Sequence, residues 1–569
     1  MDGLQAGPGQ DTLPLGPGRI DALRSVLAFA VSLLFAAAAP PRLVPLSALV
    51  KVRPGAPLQS LEDVRLRAAR GECEGFQVAV APDADVTGAE LPPLHGPGSA
   101  SLAAKVYRET WLTVTRPSGG GGATGLWPDP LLPVSLRNGG TNPAILPSSS
   151  TADRPVVFYV ELCVPGTAPP GTYAGRLHVT ARGQPEASLP VRLVVAPVRI
   201  PATSSLPNLW GLGVYLLVHG HHLQRESPEA VTLLRQYVAV LLEHRLSGYG
   251  LGIDPLPSHL GGDGQLIVDF GRFDAEMSAV LDGTALPSRA RATTVDLRDD
   301  PRLPPDQRLA YLRAWSAHFR ARGWSALLYY YAKDEPKPKD EALVRTQSAR
   351  ARAAGDLPVL VTSYHQELWD AADIVAPSVS CFFPRPGLDL CRGAEPAARI
   401  RARLGQSKRL FWYQSCMTHG CDGVPGDRRG AASVEGWTSY MVDHSAPRNR
   451  AMGALAYLAG IDGELYFDTL SAWERDGRPW EDVYRFGGNG DGTFLYPGTP
   501  DRIGSEAPAP VTSLRLKTVR DGLEDFELAP GRGTLGTEHR RGPGPSIGPV
   551  RLGHHPRPDG LVRRPWGVA

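Results

Sequence analysis

Apolar positions recur with a period of two through the first part of this chain and at helical spacing through most of the rest. From about residue 43 to residue 201, short apolar runs sit between turns. Phe76-Gln77-Val78-Ala79-Val80 places apolar side chains on alternate positions, and 156–164, 176–180 and 191–195 behave similarly. Pro165-Gly166 and Pro169-Pro170-Gly171 punctuate these runs as turns. No convincing helix interrupts them, so a β-sandwich is expected over residues 41–203. From about residue 205 the rhythm changes to strand-like runs alternating with amphipathic helices, the pattern of parallel β/α units. Ser227-Pro228 caps and opens one helix, with Leu234, Val238, Leu241 and Leu242 on its apolar face. A second helix is expected over 306–322, stopped by Gly323. Candidate strands fall near 208–215, 248–253, 291–297, 325–332, 357–363, 373–379, 408–414 and 463–468, the third being the weakest. Eight such units predict a (β/α)8 barrel over residues 204–528, with a C-terminal extension. The chain is thus read as multi-domain, all-β followed by α/β.

The two ends follow neither pattern. Arg24, the apolar run from Val26 to Phe35 and the alanines up to Pro40 have the layout of a secretory signal, too short for a membrane span. Residues 1–40 are therefore expected to be a leader, and the protein to be secreted or to reside in the periplasm or cell envelope. Beyond Leu528, residues 529–569 are rich in Gly, Pro and Arg without periodicity, which predicts a disordered tail. The helix begun at Ser513-Leu514-Arg515-Leu516 is cut short there, as a frameshift would cut it.

Composition adds little that is positive. The 569 residues carry 60 basic and 58 acidic side chains, a formal net charge of +2 that gives no sign of a nucleic-acid partner. The 63 Gly and 55 Pro favour strands, turns and loops. Six cysteines suit export: Cys381 with Cys391 and Cys416 with Cys421 are each close enough to close a loop, while Cys73 and Cys163 lie in strand-like runs as a bonded pair or as buried thiols. No CxxC occurs, and the Gly-rich stretch Gly119 to Gly122 lacks the ending of a phosphate loop. His219, His221 and His222 have no carboxylate at metal-ligand spacing, so neither metal nor cofactor is expected.

Chemistry concentrates in Tyr329-Tyr330-Tyr331-Ala332-Lys333-Asp334-Glu335-Pro336. The aromatic run is strand-like, Pro336 ends it, and two carboxylates are left side by side where the fourth strand gives way to a loop. In a barrel of parallel strands that end carries catalysis. Adjacent acids in a confined site should divide their roles, one a proton donor and the other a charged orienter. A binding site at such a mouth also needs flat apolar faces and hydrogen-bonding tips. Candidates are Trp412 and Tyr413 at the end of strand seven, Tyr466 and Asp468 at strand eight, His365 after strand five, and Asn489 and Asp491 in a Gly-rich loop. Glu72 and Glu74 read as structural contacts at the seam between domains.

Several spaced motifs carry a family resemblance: Ala69-Arg70-Gly71-Glu72-Cys73-Glu74-Gly75-Phe76-Gln77, the aromatic run into Asp334-Glu335-Pro336, Gly488-Asn489-Gly490-Asp491-Gly492 leading to Tyr496-Pro497-Gly498, and Ser513-Leu514-Arg515-Leu516-Lys517 leading to Arg520-Asp521-Gly522-Leu523-Glu524-Asp525. Between about residues 43 and 528 the chain resembles bacterial proteins carrying the domain of unknown function DUF4091, related to glycoside hydrolase family 123. It departs from them after Leu528, where their C-terminal helix continues. The resemblance implies a β-sandwich joined to a catalytic barrel, a glycan substrate, and hydrolysis of β-linked N-acetylhexosaminides, N-acetylgalactosamine being the sugar that characterised members of family 123 remove. It implies Glu335 as general acid/base and Asp334 as the group that orients the substrate's 2-acetamido arm, whose carbonyl attacks the anomeric carbon. Substrate participation suits neighbouring acids, because a protein nucleophile would have to stand across the scissile bond from the acid. The alternatives are a non-catalytic carbohydrate-binding or envelope protein on the same fold, and a retaining enzyme with Asp468 as nucleophile.

Overall fold

The structure, a computed structural model, describes residues 38–119, 121–135, 140–225, 227–248, 255–355, 357–382, 396–415, 438–474 and 478–530. The expected leader up to residue 37, the tail from residue 531, and Cys391, Cys416 and Cys421 lie outside them.

Two seven-stranded sheets dominate the first part of the chain. One runs in the order Leu43–Ser47, Cys73–Val80, Val156–Cys163, Ala104–Val114, Gly125–Pro133, Ala509–Ser513, Tyr496–Gly498. The other has the path Val64–Arg70, Ala187–Arg199, Gly171–Ala181, Ala84–Glu90, Ser148–Ser150, with two short strands beside it. Pairing is antiparallel except between Val64–Arg70 and Ala187–Arg199. Alternation explains the second sheet well: Tyr173, Leu177, Val179 and Ala181 point inward along one strand, and Val191, Leu193 and Val195 along its neighbour. They meet Phe76, Val78, Val80, Phe158 and Val160 of the first sheet in a single apolar cluster. The other face of Cys73–Val80 is buried as well. Gln77 tolerates that because its amide donates to the Ser47 and Val50 carbonyls at 3.0 and 2.6 Å.

A third sheet is wholly parallel, ordered Asn208–Trp210, Gly463–Tyr466, Arg409–Gln414, Ile374–Val375, Val359–Val361, Leu328–Lys333, Val295–Leu297. It curls into a nearly closed barrel-like sheet. Its inner face carries Leu209, Tyr329, Tyr331, Leu360, Ile374, Phe411 and Leu465, with Tyr413 packed against them. The outer face, with Trp210, Tyr330, Val359, Val361, Leu410, Trp412 and Tyr466, joins the large cluster that the helices cover. A parallel bridge from Trp210 to Gly248 marks the place of the strand expected at 248–253, whose remaining residues are not described. Several expected strands prove shorter. Residues 325–327 form a 3-10 turn before the Leu328–Lys333 strand, and 208–215 splits into a three-residue strand and the helix Val214–Gly220. Helix signals hold closely: Ser227 accepts from the Ala230 N–H at the start of Pro228–Glu243, and Pro305–Ala321 runs out at Gly323, whose φ of +74° suits glycine.

The end of the described chain returns to its beginning. Ala509–Ser513 pairs with Gly125–Pro133, and the helix Leu514–Leu528 that follows is buried almost throughout. Its polar side chains are matched there. Arg515 meets Asp129 at 2.8 Å with both side chains fully buried, and Lys517 and Arg520 both meet Glu161. The Glu524 carboxylate accepts from the Cys73 N–H at 3.2 Å, so two of the spaced sequence motifs touch at this seam. Glu72 accepts from the Ala69 N–H in the same turn. Cys73 and Cys163 are joined as a disulfide across paired strands, and Cys381 is disulfide-bonded as well.

Candidate active site

Leu328–Lys333 forms a strand because aromatic side chains fit a pleated, two-sided interior, and period two sends Tyr329 and Tyr331 inward while Tyr330 faces the helices. Pairing with Val359–Val361 slips by one residue between Tyr331 and Lys333. The strand then bends, and Asp334 and Glu335 emerge exposed at its C-terminal end. Glu335 has φ +40°, a left-handed conformation costly for a side chain of this size, and strain of that kind persists where the surroundings enforce it.

Three hydroxyls arrange the two acids. Tyr331 Oη donates to Asp334 Oδ1 at 2.7 Å, and Thr362 Oγ1 donates to the same oxygen at 3.1 Å. Thr362 Oγ1 also accepts the Glu335 N–H at 2.8 Å, tying the bend to the end of the neighbouring strand. Tyr413, inward on Arg409–Gln414, donates to Glu335 Oε1 at 2.6 Å. Burial, and then the charge of the acid each faces, holds the Tyr413 and Tyr331 phenols well above their ordinary pKa, so both stay proton donors. One oxygen of each acid is thereby held, and the described residues give Asp334 Oδ2 and Glu335 Oε2 no bond. Arg298 lays its guanidinium over the Tyr331 ring at 4.3 Å, with Nε 3.5 Å from Asp296 Oδ2. Asp296 is buried on the neighbouring strand, and burial, opposed by Arg298, lifts its carboxyl to about 6.

Of the other expected site residues, Tyr413 is the one shown hydrogen-bonded to the acid pair. Trp412 is its neighbour in an alternating strand and so faces outward, fully buried, its ring 5.8 Å from Phe382. Tyr466 faces outward for the same reason, stacked on Trp210 at 4.7 Å, and donates to Asp491 Oδ1 at 2.6 Å. Asp491 is thus a buried acceptor for that phenol. Asn489 is buried too, its side chain donating to Arg116 O and Ser118 Oγ. Asp468 does stand at the C-terminal end of its strand, but Oδ1 accepts the Thr469 and Leu470 N–H groups at 2.7 and 2.9 Å, and Gly213 adds a third backbone donor. Burial outweighs these bonds and lifts its carboxyl to about 7. His365 follows Val359–Val361 and keeps local company: Ser363 Oγ accepts its N–H, and Glu367 lies 3.7 Å from Nδ1. His221 is a buried partner of Tyr237 at 2.8 Å, with burial lowering its pKa to about 4. Among the described residues, no group of three or more His, Cys, Asp or Glu could hold a metal, and no helix is long and apolar enough to cross a membrane.

Sequence reasoning missed Tyr331, Thr362 and Arg298 as parts of the site. A hydroxyl closing the apolar run Val359-Leu360-Val361 was the available signal for Thr362; Arg298 had none, since one arginine among many looks like surface charge.

No protein-family model matches this chain, and no curated protein does. Among solved structures, its fold is shared with a family 123 glycoside hydrolase from Clostridium perfringens studied for glycolipid glycan hydrolysis. The TM-score is 0.58 at 14% identity, over 86% of this chain and 87% of that one. A family 39 glycoside hydrolase from Bacteroides cellulosilyticus aligns over 77% of this chain and 83% of its own, with a TM-score of 0.31 at 9% identity. A Bacteroides ovatus family 5 xyloglucanase covers 82% and 99%, with a TM-score of 0.23 at 10% identity. Likenesses that low carry no weight, whereas the first shows a shared fold.

Proposed function

We propose that this protein hydrolyses β-linked 2-acetamido-2-deoxyhexosides, N-acetylgalactosaminides above all, with the sugar's own acetamide as nucleophile. The observation that carries this reading is the adjacent pair Asp334 and Glu335, exposed at a parallel strand end, each held through one oxygen with the other available. Protein-nucleophile mechanisms need two carboxyl groups about 5 Å apart across the bond, and inverting ones roughly 6.5–9.5 Å. The other described acids near these strand ends are engaged elsewhere: Asp468 by backbone N–H groups, Asp299 by Arg350, Asp300 by Arg302, and Asp296 by burial beside Arg298.

The chemistry then balances with these groups. The acetamide oxygen bonds to the anomeric carbon as the glycosidic C–O bond breaks, and Glu335 gives its proton from Oε2 to the leaving oxygen. Asp334 Oδ2 takes the acetamido N–H and stabilises the positive charge that spreads onto that nitrogen. Water then adds to the anomeric carbon, returns a proton to Glu335 and releases the sugar with its configuration retained. The Cys73–Cys163 disulfide supports an oxidising compartment, in keeping with export.

The test compares an aryl 2-acetamido-2-deoxy-β-galactoside with the matching aryl β-galactoside. A well-placed intramolecular nucleophile is expected to favour the acetamido sugar at least about a hundredfold in kcat/KM. Equal or faster cleavage of the hydroxy sugar would remove participation by the acetamide, and failure to turn over either would leave a binding protein on this fold.

A further inference from the structure

We propose that Tyr215 and Phe486 form an aromatic platform for the sugar ring next to the one released, so that the preferred substrate is a neutral oligosaccharide rather than a simple glycoside. This rests on the glycosidase reading above. Among the described residues the exposed large hydrophobics include two aromatics, Tyr215 at 65% and Phe486 at 46% exposure. Tyr215 lies in the helix Val214–Gly220 that follows Asn208–Trp210, and Phe486 lies in the segment that follows Gly463–Tyr466. Those two strands are parallel neighbours, so both segments leave the sheet at the end where Asp334 and Glu335 leave it. Four strand places separate Gly463–Tyr466 from Leu328–Lys333, which puts the platform across the mouth from the acids.

The two segments are locked together. The Gly211 N–H donates to Tyr466 O at 3.0 Å, Thr469 Oγ1 donates to Gly211 O at 2.8 Å, and Gly213 bonds Asp468. Phe467 supports Phe486 edge-on at 5.3 Å, and the His219 ring lies nearly parallel to Tyr215 at 6.1 Å. Rings held in this way offer flat faces to the C–H side of a pyranose, with the Tyr215 hydroxyl and His219 nearby for its polar edge.

Backbone strain is the second, independent observation. Tyr484–Arg485 and Gly488–Asn489 form a hairpin with Phe486-Gly487 as its two-residue turn, at φ +47° and +89°. Positive φ at both places is the type I′ turn, which prefers Asn, Asp or Gly at its first position. A bulky ring there is strained, and although it packs edge-on against Phe467, nearly half of it, 46%, stays exposed. Contact with something outside the chain accounts for it.

The experiment measures kcat and KM for two substrates, with wild type, Tyr215→Ala, Phe486→Ala and Phe486→Asn. One substrate is the β-fluoride of the 2-acetamido sugar, whose leaving group is too small to reach the platform. The other is a trisaccharide with the same sugar β-linked to a neutral disaccharide. Each variant is expected to raise KM for the trisaccharide about tenfold with kcat within about twofold, and to leave the fluoride unchanged. Phe486→Asn should do so with unfolding stability equal to or above wild type, because Asn suits the turn. Equal effects on both substrates, or none on either, would overturn the platform. If wild type cleaves neither substrate the glycosidase reading fails, and calorimetric titration of the trisaccharide then decides the platform separately. Binding that weakens about tenfold in Tyr215→Ala supports it; no binding to wild type overturns it.

Discussion

Glu335→Gln is expected to lower kcat on an aryl 2-acetamido-β-galactoside by a factor between about 10² and 10⁴, the range a positioned acid/base supplies, while substrate binding stays within a few fold. The amide keeps the shape of the carboxyl, and its oxygen still accepts from Tyr413, so the bend and the mouth should survive. What disappears is the transferable proton. Glu335→Gly makes a useful companion: it should be as inactive, yet no less stable than wild type, because glycine adopts φ +40° without strain. Unfolding in urea alongside the kinetics separates the two effects. A glutamine variant that keeps more than about a third of wild-type kcat would show that the proton comes from elsewhere.

Arg515→Met is expected to cost about 3–5 kcal/mol in stability, the range for breaking a buried ion pair from one side. The guanidinium satisfies several groups at once: both Asp129 oxygens at 2.9 and 2.8 Å, the Tyr440 and Gly490 carbonyls at 2.9 and 2.8 Å, and the Thr493 carbonyl. Without it Asp129 is a charge with no water near it, although Tyr496 Oη still donates to Oδ2 at 2.5 Å. The damage should reach the site, because these carbonyls belong to the segments that carry Tyr440 and Phe494, whose rings pack on Tyr466 at the outer face of the parallel sheet. The double variant Arg515→Met with Asp129→Leu should recover part of the loss, since it removes the stranded charge as well. A single variant that unfolds within about 1 kcal/mol of wild type would mean that the pair is not what joins these elements.

How much of this could be read before folding depends on the range of the interaction involved. The two rhythms of apolar positions, the Ser227 cap, the stop at Gly323 and the acid pair beside Pro336 are local: a few consecutive residues settle each. The candidate platform of the sequence reading was harder, because Trp412 with Tyr413, and Tyr466 beside Leu465, differ only in parity. Either member of such a pair can be the inward one until pairing with a neighbouring strand sets the register, and a one-residue slip exchanges them. Asn489, Asp491 and Asp468 looked like loop chemistry and turned out to hold the chain to itself, because buried backbone and phenol groups needed partners.

The residues alone therefore specified where the carboxylates stand and which kind of strand presents them. Which hydroxyls hold those carboxylates, and which aromatic rings meet solvent, emerged only with the chain closed on itself. Thr362 lies 28 residues from Asp334 and Tyr413 lies 78 from Glu335, and only the order of strands in the sheet brings them within a hydrogen bond.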